Sequence, residues 1–144
     1  MEYDGHSGIK VLRAISPVSA GGAQVGQEID TKGFESCEFV IATGALGAGT
    51  SLAIVEQSPD DGTGSPTGVW TAVPADETLG GDGGAGTLGT IVATDDNAVF
   101  RIGTIGKERF QRLTLPATTG FTTFLCAAVA ILSNPKVQPV ANQN

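Results

Sequence analysis

Four of the eight lysines and arginines in this chain, Arg101, Lys107, Arg109 and Arg112, fall within twelve residues. No other stretch gathers as many groups able to act on a partner. Gly106-Lys107 invites comparison with a phosphate loop, whose glycine-framed backbone cradles phosphates while a lysine and a following hydroxyl complete the site. The match fails twice: Glu108 stands where Ser or Thr is needed, and Arg101 stands where the first glycine is needed. Two readings of the cluster stay open. The long basic side chains can lie over a sheet and pair with acidic neighbours, or they can form a docking patch for an acidic partner.

The remaining chemistry-bearing residues are dispersed. His6 is the sole histidine and sits in the first eight residues, where a hydrolytic triad could not hold its base in fixed geometry. Cys37 and Cys126 both lie inside apolar runs and read as small buried hydrophobes, with pairing left open. With His6 they share no zinc-ligand spacing. Asp60-Asp61-Gly62 and Asp82-Gly83 could offer oxygen ligands to calcium, but an EF-hand spacing and its closing Glu are absent, and turn chemistry explains both. Asp76-Glu77 and Asp95-Asp96 are sequence neighbours on expected loops, unlike an acid/base pair held across a cleft. The glycines of residues 80–89 do not lead a strand into a helix, as a dinucleotide fingerprint requires. Trp70 could stack on a sugar, although a lone tryptophan on a strand more often joins a core. No enzyme activity, cofactor or metal is expected.

Composition narrows the classes further. The chain has 144 residues, 40% of them apolar, and 21 glycines. That suits one domain with its own core and many glycine-dependent turns. A net charge of −7 repels a phosphate backbone, so direct nucleic-acid binding is not expected. The N-terminus lacks the basic and apolar regions of a signal peptide. The longest apolar run, residues 124–132, is far short of the roughly 20 residues that span a bilayer as a helix. No membrane partner is expected.

The elements that must position these residues read as short strands. Period-two alternation and turn residues place strands near residues 9–15, 23–29, 35–43, 51–57, 69–73, 90–93, 98–103, 109–115 and 121–132. Residues 35–43 put Cys37, Phe39 and Ile41 on one face. The glycine-bearing stretch 44–49 then suggests a hairpin to 51–57, residues 58–68 a second hairpin into 69–73, and residues 102–110 a third around the basic run. Residues 74–89 read as a long loop. The expected fold is all-β: an antiparallel β-sandwich or barrel of about 8–9 short strands, spanning residues 9–132, with an N-terminal arm (1–8) and a C-terminal tail (133–144). In the last strand Leu125, Ala127, Val129 and Ile131 on one face oppose Phe124, Cys126, Ala128, Ala130 and Leu132 on the other. Apolar on both sides, it should be central and covered twice, once by the sandwich and once by a neighbouring subunit or loop.

Three segments carry a family resemblance: Ile29-Asp30-Thr31-Lys32-Gly33-Phe34-Glu35-Ser36; Glu56-Gln57-Ser58-Pro59-Asp60-Asp61-Gly62 with Trp70-Thr71-Ala72-Val73; and the run from Ile102 to Leu113. In this order they resemble the head decoration, or cement, proteins that stabilise capsids of tailed bacteriophages, over roughly residues 9–132. The glycine-rich insert at 80–89 departs from the pattern. The resemblance implies a β-sandwich on the outside of a phage head in the virion, made in the host bacterial cytoplasm. It further implies a homo-oligomer, with a trimer favoured, bound to the major capsid protein. Candidate capsid or subunit contacts are Tyr3 and His6 in the N-terminal arm and Arg101, Lys107, Arg109 and Arg112 in the basic run. The alternative function is a tail-associated or carbohydrate-binding adhesion module built around Trp70.

Overall fold

The computed structural model describes residues 4–81, 84, 86–105, 108–119 and 122–136. Two antiparallel sheets pack face to face. The first holds β1 (Lys10–Ser19), β12 (Phe124–Pro135), β4 (Phe34–Leu46), β9 (Val99–Thr104) and β7 (Thr78–Leu79), hydrogen-bonded in that order. The second is built on β5 (Thr50–Ser58) and β10 (Phe110–Leu115). Around them pair β2 (Gln24–Val25), β3 (Ile29–Asp30), β6 (Thr71–Ala72), β8 (Thr87–Val92) and β11 (Ala117–Thr119). The expected β-sandwich is thus the observed architecture, with more strands than the alternation suggested: β1, β4 and β5 run longer than expected, and the additional strands are two or three residues long. Among the described residues no helix is long and apolar enough to cross a membrane.

The core forms where alternation turns apolar residues inward from both sheets. Phe39, Ile41, Ile102, Phe124, Ala130 and Leu132 from the first meet Ala53, Val55, Ile91, Leu113 and Leu115 from the second, all essentially without solvent contact. At one end Thr104 Oγ1 donates to Gln111 Oε1 at 2.5 Å, a buried polar tie that fixes the two sheets relative to each other.

Two of the three expected hairpins are instead arches between sheets. β4 lies in the first sheet and β5 in the second, so their apolar faces meet across the core rather than side by side. Gly47 makes the crossing possible. Its N–H donates to Thr123 O at 2.7 Å, and a Cβ there would fall 2.8 Å from the Thr123 nitrogen. β9 and β10 are divided in the same way, so the chain passes from one sheet to the other between Thr104 and Phe110. The β5–β6 pairing is a true hairpin, joining Glu56 to Ala72 and Gln57 to Thr71.

Other differences are local. The expected strand over 23–29 is two two-residue strands, because the chain at Gly26 bridges the sheets. The Gly26 N–H donates to Leu113 O at 2.8 Å and the Gln27 N–H to Ala14 O at 2.7 Å. The expected loop over 74–89 contains a 3-10 turn at Ala75–Glu77, β7 and the start of β8. β12 sits between β1 and β4, the central position its two-sided apolarity required, and continues to Pro135.

Candidate interaction surface

Of the six sequence-derived contact residues, Tyr3 and Lys107 lie outside the described residues. His6 is exposed in the turn ahead of β1, a turn in which Asp4 accepts from the Ser7 N–H and hydroxyl at 2.5 and 2.9 Å. The three arginines are close in sequence but not in space. Arg101 stands on the outer face of the first sheet, whereas Arg109 and Arg112 belong to the second.

Arg109, next to the start of β10, is held by two carboxylates. Its Nε and Nη2 donate to the two oxygens of Asp30 at 2.8 and 2.7 Å, the fork geometry that suits guanidinium to carboxylate. Its Nη1 donates to Asp60, and its carbonyl accepts from the Thr31 N–H and hydroxyl at 3.0 and 2.7 Å. The guanidinium beside Asp30 holds that carboxyl below its ordinary range. Asp60 is lowered first by the Gly62 N–H and then by Arg109. Asp61 is lowered chiefly by the Thr63 hydroxyl. These acids order the turn at residues 60–65 around the arginine.

Arg112 and Glu56 are directly opposed on β10 and β5. Arg112 Nε donates to Glu56 Oε2 at 2.7 Å, and the Thr114 hydroxyl donates to the same oxygen at 2.9 Å. The guanidinium lies 4.3 Å from the Trp70 ring centre, a cation–π stack that covers one face of the only tryptophan. That is the ring the sequence offers for stacking on a sugar. Arg101 reaches Glu38 at 3.5 Å, but its side chain is 80% exposed, so this pair holds it only loosely. Pairing with the acidic surface is therefore what Arg109 and Arg112 do.

The broad exposed feature is the outer face of the first sheet. The register sets side chains in rows across the strands: Arg13, Val129, Val40 and Arg101 in one, Val11, Ile131, Glu38 and Gly103 in the next. Ala127, Ala42 and Val99 form a third row, and Ser19, Leu125 and Gly44 lie beyond it. Ser36 and Ser133, their hydroxyls 2.5 Å apart, close the other end. Val99 is 69% exposed, Val11 43%, Leu125 40% and Val129 37%. A shallow depression of about 430 Å³ lies beside Leu125, between Pro17–Ser19 and Ala42–Gly44. The sequence signalled the β12 part of this face. It missed the contributions of Val11, Val40 and Val99, which follow only from knowing which strands flank β12.

Among the described residues no group of three His, Cys, Asp or Glu side chains is arranged to hold a metal ion. The assembled picture is an antiparallel β-sandwich in which carboxylates hold Arg109 and Arg112 and the outer face of the first sheet leaves Val11, Val99, Leu125 and Val129 exposed. A protein of similar fold is the SPBc2 prophage-derived protein YomS. Its crystal structure superposes with a TM-score of 0.53 over 88% of this chain and 93% of that one, at 12% identity. At that identity the likeness is one of fold. No protein-family model matches the chain, and no curated protein matches it in sequence.

Proposed function

We propose that this chain is a structural protein of a phage particle, acting as a decoration protein that binds the outer surface of the head and stabilises it. One observation carries this reading: the outer face of the first sheet leaves Val11, Val99, Leu125 and Val129 open to water, with Arg13, Arg101 and Glu38 the charged residues of its rows, on a molecule of net charge −7. Exposed apolar patches rimmed by polar residues mark contact surfaces. The fold shared with a prophage-derived protein supports the phage setting, and the family resemblance of residues 29–36, 56–62 with 70–73, and 102–113 supports the head.

A protein that binds the assembled shell and not its separated subunits stabilises the shell by mass action. The test is co-sedimentation of purified protein with heads that lack it, followed by heating. Binding together with a raised temperature of shell opening is expected. Binding to tails, to glycans or to neither, with heads no more robust in its presence, overturns the proposal.

A further inference from the structure

We infer that the outer face of the first sheet is covered by the same face of a second copy of this chain, the two related by a two-fold axis lying across the strands. The inference rests on the reading of that face as an assembly surface and names what covers it.

Charge favours a second copy. The rows from Ser36 to Gly44 carry two positive charges, Arg13 and Arg101, and one negative, Glu38. With −7 on the whole chain, everything outside this face carries a net −8. Two copies meeting through the remaining surface bring a net −8 against −8, whereas this face meets its own copy as +1 against +1, a far smaller repulsion that opposite charges paired across the contact can offset. Register adds complementarity. With the axis midway between the Glu38 row and the Val40 row, Arg101 of each copy lies one strand from Glu38 of the other. The two intrachain pairs, each 3.5 Å long, merge into one four-charge network flanking an apolar centre. Val129 then faces Ile131, and the alanines at positions 42 and 127 allow close approach of two sheets.

Area reaches the lower bound. Four strands spaced by about 4.8 Å and eight residues rising about 3.3 Å each give roughly 19 by 26 Å, or about 500 Å² per copy in projection. Two copies bury about 1,000 Å², the least that a specific interface with good complementarity needs. The contact is isologous, so it closes at two copies, unlike the trimer implied by family resemblance, which needs a head-to-tail contact.

The test measures mass in solution by light scattering behind size exclusion, for the full chain and for Glu38→Arg and Arg101→Glu, with thermal melts confirming that each variant folds. Wild type is expected at twice the 14.5 kDa monomer mass, and each variant alone as a monomer, because each then meets its own copy with like charges. Mixing the two variants is expected to restore the dimer, since one copy then presents arginine at both positions of the pair and the other presents glutamate at both. A monomeric or trimeric wild type, variants that stay dimeric, or folded variants that do not recombine overturn the inference. Co-sedimentation with heads is scored separately. A monomer that binds heads overturns the pairing alone, and a dimer that binds none overturns the proposed function alone.

Discussion

The two cysteines offer a quantitative probe of the sandwich. Cys37 lies opposite Leu132, and Cys126 lies opposite Thr43, on the neighbouring strands β4 and β12. Six residues of register therefore separate them, about 20 Å at roughly 3.3 Å per residue. Disulfides need Cα atoms within about 7 Å, so the two remain free thiols. Burial pushes Cys37 up to about 12 and Cys126 up to about 11, from an ordinary 9.0. At pH 8 about one in 10⁴ and one in 10³ are ionised, against about one in ten for an ordinary thiol, and only the thiolate reacts. Treating the folded protein with a chromogenic disulfide reagent should thus show two slow phases. They should run roughly 1,000-fold and 100-fold below the denatured rate, with Cys126 first and both rates rising about tenfold per pH unit from 8 to 10. Cys37→Ser and Cys126→Ser assign the phases. A thiol that reacts at the denatured rate, two thiols that react at one common rate, or a mass two hydrogens light without reductant would refute the reasoning.

Two further perturbations address the bridge at Gly26 and the arginine tie. Gly26→Ala places a Cβ 2.6 Å from Leu113 O and 2.9 Å from Ala14 O. Neither backbone oxygen can rotate away, so a loss of about 1–3 kcal/mol in urea unfolding is expected. Gly22→Ala, where a Cβ meets nothing within 4 Å, is the control, and equal stability of the two variants would show that the bridge at Gly26 is not tight. Arg109→Gln tests the carboxylate tie through pH. Asp30 and Asp60 have folded values below 3.8, so their contribution is fully present above that pH and disappears as pH falls through the folded values. The melting-temperature gap between wild type and variant should be constant above about pH 5 and narrow toward pH 2. A gap that is unchanged at pH 2 would assign the effect to packing.

The fold class was legible in the sequence because period-two alternation is a local property: Cys37, Phe39 and Ile41 announce an inward face wherever their strand lies. The central place of β12 was legible for the same reason, since Leu125 and Val129 opposite Cys126 and Ala130 leave no polar side to give to water. Which strands pair was not. An apolar face is satisfied equally by a hairpin neighbour in the same sheet or by a strand of the opposite sheet. The stretches 44–49 and 103–109 are permissive enough to make either connection. What decides for arches is Gly47 against Thr123 and Thr104 against Gln111, contacts with residues distant along the chain or across the core.

That ambiguity also bears on where the basic residues end up. Within a hairpin, Arg101 and Arg109 would share a surface and four basic groups would add to one field. Within an arch they are carried to different sheets, and each meets the acid its own neighbours supply: Glu38 for Arg101, Asp30 and Asp60 for Arg109, Glu56 for Arg112. An arginine whose fork is already filled must break that pairing before it can bind anything else, and removing one partner of such a pair leaves the other charge uncompensated. Sequence concentration of charge therefore marks where the fold is tied. A surface with few charges gives up less on being covered: on the outer face of the first sheet Val11, Val99, Leu125 and Val129 have only water to leave.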